Sequence, residues 1–186
     1  ADADGDVENL MDTLRHFQHA QQFRLVAQDI AGMWPLEALS DQISLLADVV
    51  LEAAVRYAWR DIAKRHREVP RFAVIGYGKL GGKELGYGSD LDLIFLYDDP
   101  DPDAGELYAR LGRKLSTWLT AATPAGVLYD IDLRLRPDGA AGLLVSSVEA
   151  FAGYQTNKAW LWEHQALTRA RFCAGDSEVG DRFEKT

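Results

Sequence analysis

Two short apolar runs, Phe72–Ile75 and Leu91–Tyr97, flank a segment dense in glycine, and this arrangement constrains the fold more than any other feature of the chain. The segment opens Gly76-Tyr77-Gly78-Lys79-Leu80-Gly81-Gly82-Lys83-Glu84. Gly76, Gly78 and Gly81 match the GxGxxG pattern of a dinucleotide-binding unit, but the length is wrong. A parallel crossover with its helix takes a dozen or more residues, whereas only Lys83 to Ser89 separate Gly82 from Asp90. The Walker pattern also fails, with Tyr77 at its first glycine and Glu84 where Ser or Thr must hold the metal. What remains is a strand, a turn and a second strand headed by Asp90-Leu91-Asp92. Without a Cβ in the way, the backbone amides at Gly78, Gly81 and Gly82 can approach phosphate oxygens closely.

Side chains alternate between the faces of a strand, so Asp90 and Asp92 share one face while Leu91 and Leu93 pack inward. Two carboxylates roughly 6.6 Å apart along a strand repel unless a positive charge lies between them. A divalent cation, Mg²⁺ or Mn²⁺, is the economical answer, since both accept hard oxygen ligands and share their shell with phosphates. A third strand is expected over Val127–Arg136. Its alternation puts Asp130, Asp132, Arg134 and Arg136 on one face and Tyr129, Ile131, Leu133 and Leu135 on the core face. The first of these faces thus carries two acids and two arginines in a row.

The rest of the chain surrounds this unit with helices. Apolar residues recur at helical spacing from Val7 to about Ile30, and Gly32 and Pro35 end that helix. Ser40 or Asp41 is expected to cap a second, closed by Pro70 at the latest. Leu107 to Leu119 reads as helix, Gly142 to Val145 as a short strand, and Ser146 or Ser147 as the cap of a helix through Tyr154. A last helix is expected over Ala159–Phe172. Trp118, Trp160 and Trp162 read as core, Tyr77 and Tyr87 are left unassigned, and His16 and His19 read as an exposed helix face. The outline is α+β, a small mixed sheet flanked by helices. Residues 1–69 form a helical N-terminal support and residues 70–186 the domain that carries the site.

A formal net charge of −9 opposes nucleic-acid binding, which needs clustered Lys and Arg. Some of that charge lies in Asp98-Asp99-Pro100-Asp101-Pro102-Asp103, read as a solvated loop. No apolar run approaches the ~20 residues of a membrane span. A single cysteine, Cys173, excludes an internal disulfide and fits a reducing cytoplasm. The chain starts at Ala1 and stops at Thr186 with no evident fold boundary, so it is expected to be a fragment.

The block Gly76-Tyr-Gly-Lys-Leu-Gly-Gly-Lys-Glu-Leu-Gly-Tyr-Gly-Ser-Asp-Leu-Asp-Leu93 resembles the signature of bacterial glutamine synthetase adenylyltransferases. Asp132-Leu-Arg-Leu-Arg-Pro137 and Trp162-Glu-His-Gln-Ala-Leu-Thr-Arg-Ala-Arg171 resemble that family's second and third blocks. The segments Glu84–Tyr87, Arg136–Gly142 and Trp162–Gln165 look more like its C-terminal, adenylylating half. The resemblance implies a polymerase-β-like nucleotidyltransferase fold followed by a further helical domain. It also implies metal-bound Asp90, Asp92 and Asp132, ATP as substrate, glutamine synthetase as protein partner and a PII-type regulator. Arg134 and Arg136, on the face of Asp132, are then candidates to clamp phosphate. The superfamily's Gly-Ser is Gly78-Lys79 here, so Lys79 would meet phosphate as a point charge. Ser89, a further candidate for the nucleotide, lies too close to Asp90 to fill that serine's place. Three readings follow: AMP transfer to a tyrosine of glutamine synthetase, the phosphorolytic reverse, and a non-catalytic ligand-sensing module.

Overall fold

The computed structural model describes residues 3–186, and they form a mixed sheet between two layers of helices. Two long helices come first, α1 (Ala3–Ile30) and α2 (Leu36–Arg60). The second starts five residues earlier than the Ser40 cap predicts, from Pro35, whose fixed φ of −68° suits the last residue before a helix. Strand β1 (Phe72–Gly76), the short helix α3 (Gly78–Gly81), strand β2 (Leu91–Tyr97) and helix α4 (Ala104–Thr120) follow. Then come β3 (Ile131–Asp132), β4 (Val145–Ser147), α5 (Val148–Asn157), α6 (Leu161–Leu167), β5 (Arg171–Gly175) and α7 (Ser177–Glu184). Ser147 caps α5 as expected, its hydroxyl accepting from the Ala150 N–H at 3.1 Å.

β1 and β2 pair antiparallel from Phe72–Tyr97 to Gly76–Leu93, so the glycine segment does join neighbouring strands. The sheet order is β3-β2-β1-β5, with β4 also on β2. Both sheet faces are buried, and the alternation sorts residues between them. Phe72, Val74, Leu91, Leu93 and Phe95 join a core with α1, α2 and α4. Ala73, Ile75, Tyr77, Ile94 and Leu96 join a second core with α5 and α7. Each such fully buried aliphatic or aromatic side chain contributes roughly 1.5–3 kcal/mol. The N-terminal helices thus share a core with the sheet. Arg15 strengthens that union: fully buried, it donates to the carbonyls of Trp118 and Ala121 at the end of α4.

Three expectations need correction. The ten-residue third strand contracts to Ile131–Asp132, because β2's free edge is shared. β3 pairs parallel with Leu91–Asp92 and β4 parallel with Phe95–Tyr97, so the intervening chain must leave the sheet and return. Its side chains then part company: Leu133 packs on the first core and Leu135 on the second. The last helix is also shorter, since residues from Arg171 onward form β5 along the other edge of β1. Finally, Trp118 is core, but Trp160 and Trp162 are exposed at the start of α6.

The acidic loop after β2 is less solvated than its composition predicts. Asp99 is enclosed, held by His66, Arg67 and the Tyr108 hydroxyl. No helix among the described residues is long and apolar enough to cross a membrane.

Candidate active site

The carboxylates gather where β2 and β3 begin to pair. Asp92 belongs to the alternating row that continues through buried Ile94 and Leu96, at the end of the row where the side chain is only partly covered. Asp90 precedes the strand and is exposed. In the parallel register Asp92 stands directly beside Asp132. One further bond, from the Leu91 N–H to the Asp130 carbonyl at 2.9 Å, extends the pairing and fixes the offset.

The electrostatics record this crowding. Partial burial pushes the Asp92 carboxyl above its ordinary pKa, and the charges of Asp90 and Asp132 push it further, against the pull of Lys79 and Arg134. Asp132 moves the other way. Hydrogen bonds from Arg134 hold its carboxyl below the usual range against a smaller opposing effect of burial. The Arg134 N–H donates to Oδ1 at 2.8 Å and Nε to Oδ2 at 2.9 Å, and the guanidinium closes a further bond to Oδ2. Arg134 itself is 80% exposed at its side chain, against 17% for Asp132.

The chemistry of the donors fits a hard divalent cation, for three carboxylates with no soft ligand among them favour Mg²⁺ or Mn²⁺. As placed, no three His, Cys, Asp or Glu side chains among the described residues close around one point. Both oxygens of Asp132 are bonded to Arg134.

The glycines have a packing role that the motif did not reveal. Gly78 has φ +54°, and a Cβ there would stand 2.4 Å from Oδ2 of Asp92. A Cβ on Gly81 would stand 1.8 Å from the Arg169 carbonyl. The turn's own amides are partly engaged: Gly81 donates to Tyr77 and Gly82 to Gly78, at 2.9 and 3.0 Å. Lys79 is exposed above Asp92 and forms no ion pair among the described residues. Ser89 stabilises the next turn, its Oγ accepting the Gly86 N–H at 3.2 Å.

Arg136, expected to reach a phosphate, points elsewhere. It donates to the carbonyls of Leu133 at 2.6 Å and Ala140 at 3.1 Å, pinning the chain that leaves the sheet. The third sequence block buttresses the glycine turn. Arg169 pairs with Glu84, while Arg171 reaches the Leu80 carbonyl at 3.1 Å and grips Asp48 of α2 through two bonds of 2.8 and 2.9 Å. Asp48 and Arg171 escaped the sequence reading because their partnership spans 123 residues.

Comparison with known proteins now decides the relationship. The model of the glutamate-ammonia ligase adenylyltransferase family matches residues 1–186. The chain belongs to that family. It is 77% identical over 184 residues to the bifunctional glutamine synthetase adenylyltransferase/adenylyl-removing enzyme of Chromobacterium violaceum, covering 99% of the chain and 21% of the relative. The protein of the same description from Neisseria meningitidis serogroup B is 63% identical over 181 residues, covering 97% of the chain and 20% of the relative. That of Nitrosomonas eutropha is 60% identical over 179 residues, covering 96% and 19%. The chain therefore spans about a fifth of the length of these family members.

Proposed function

We propose that this chain carries the site that transfers AMP from ATP to a tyrosine of glutamine synthetase, releasing pyrophosphate and so regulating nitrogen assimilation in the cytoplasm. The observation that carries this reading is the side-by-side placement of Asp92 and Asp132, with Asp90 adding its charge to the same corner. Residues 70–186 supply the site and residues 1–69 support it.

In this reading Asp90, Asp92 and Asp132 hold Mg²⁺ or Mn²⁺. The bound cation supplies charge neutralisation on the triphosphate and lowers the pKa of the attacking hydroxyl. Arg134, whose guanidinium is largely exposed, would face a phosphate oxygen. Lys79 faces the departing pyrophosphate as a point charge. The tyrosine oxygen bonds to the α-phosphorus as the bond to the pyrophosphate oxygen breaks, and the phenolic proton leaves to solvent. The protein contributes position and electrostatics, with no covalent intermediate of its own.

The names of the relatives join addition and removal of AMP, and phosphorolysis would use the same acids. The blocks around Glu84, Arg136 and Trp162 favour addition. A PII-type regulator is proposed as a further partner on the family resemblance. The test incubates the protein with α-labelled ATP, Mg²⁺ or Mn²⁺ and unmodified glutamine synthetase. Label on a glutamine synthetase tyrosine that disappears with Asp92→Asn is expected. Transfer that survives that change would overturn the assignment.

A further inference from the structure

A cavity of about 440 Å³ lies between α1 and the turn that leads into Asp90, within the usual size range of small-molecule sites. It borders the carboxylates, since Ser89 and Asp130 are in its wall. Gln18, Gln22 and Phe23 of α1 line one side, and Tyr87 and Val127 another. The mechanism proposed above uses none of these five residues.

The two amides are chained in a fixed sense. The Tyr87 carbonyl can only accept, and it takes the Nε2–H of Gln22 at 3.1 Å. Gln22 must therefore turn its oxygen the other way, where it accepts Nε2–H of Gln18. Gln18 is left with its oxygen unused. That atom is buried without a hydrogen-bond partner, in a side chain belonging to a residue only 3% exposed. A buried acceptor left unpaired is costly, and a backbone carbonyl prevents it from being exchanged for a donor by an amide flip.

We infer that this cavity receives the base of the nucleotide and that Gln18 selects a base carrying an amino group, as adenine does. The inference rests on the reading that ATP is the AMP donor. A turn of the Gln18 side chain brings the covered Oε1 to adenine's exocyclic N–H, while Phe23 and Val127 offer apolar surface to a flat ring. A base with a carbonyl at the same position, such as hypoxanthine, would set one lone pair against another. The neighbouring Asp130 is placed to accept from a ribose hydroxyl on the path to the carboxylates.

Calorimetric titration of the protein with ATP, ITP and tripolyphosphate, each with Mg²⁺, tests this. The wild-type protein is expected to bind ATP at least about tenfold more tightly than ITP. Gln18→Met, which keeps the volume, should bring ATP affinity down to that of ITP while leaving tripolyphosphate unchanged. Equal wild-type affinity for ATP and ITP, which needs no variant to fold, would overturn the inference. So would a Gln18→Met protein with undiminished preference for ATP, or one that changes only the affinity for glutamine synthetase. If tripolyphosphate binds as well as ATP, the base has no pocket but the phosphate site stands. If neither binds, the underlying ATP reading falls and takes this inference with it.

Discussion

A β-carbon at position 78 would stand 2.4 Å from Oδ2 of Asp92, so the glycine turn and the carboxylate corner are one packed unit. The left-handed φ of +54° at Gly78 adds a second demand for glycine. Gly78→Ala should displace the Asp92 carboxylate, and displacement of a reacting group by about 1 Å can cost on the order of 10²-fold in rate. The accompanying backbone strain should lower stability by only about 1–2 kcal/mol. Label transfer at saturating ATP, read beside a urea unfolding curve, separates the two effects.

Arg134 and Arg136 should behave differently although both follow Asp132 at strand spacing. Arg136 satisfies the carbonyls of Leu133 and Ala140. Arg136→Met should therefore cost about 1 kcal/mol of stability by leaving the partly buried Leu133 carbonyl unpaired. Arg134→Met should leave the urea midpoint unchanged and reduce turnover. A midpoint shift in Arg134→Met as large as that in Arg136→Met would contradict these assignments.

The pair Asp48–Arg171 ties α2 to β5, with both side chains about four-fifths buried. Removing one partner strands a charge, and Arg171→Met should destabilise by roughly 3 kcal/mol. Replacing both, as Asp48→Leu with Arg171→Met, should recover part of that loss. Equilibrium unfolding of the two single variants and the double completes the cycle.

Asp99 should set part of the acid sensitivity. Burial opposes its ionisation, but the hydrogen bonds from Tyr108, His66 and the Asp101 N–H, with the charge of Arg67, outweigh that and hold its pKa below the ordinary value. Its stabilisation is thus fully present above an unfolded pKa of about 3.9 and is lost as pH falls through the lower folded value. Asp99→Asn should be less stable than wild type at pH 6, with the gap narrowing below about pH 4. Urea midpoints across that range provide the check.

The elements whose stability is local were legible in the sequence. β1 and β2 announce themselves as apolar runs, and α4 as an apolar stripe, because each buries its own contiguous pattern. The DxD was legible for the same reason, since Leu91 and Leu93 dictate where Asp92 points. Tertiary demand decided the rest. Residues 133–136 alternate as a strand should, yet β4 claims the edge of β2 they would need. Ala159–Phe172 has the composition of a helix, but the open edge of β1 draws Arg171–Gly175 into the sheet. Gln18 and Gln22 carry no signal in the sequence, and only the packing of α1 against the Tyr87 turn gives Gln22 the Tyr87 carbonyl and so chains Gln18 to Gln22.

Manganese titration followed by electron paramagnetic resonance tests the shared role of Asp92 and Asp132 most directly. Wild-type protein should bind Mn²⁺, and Asp92→Asn and Asp132→Asn should each weaken that binding at least about tenfold while the fold persists. Mn²⁺ affinity unchanged in either folded variant would contradict the account.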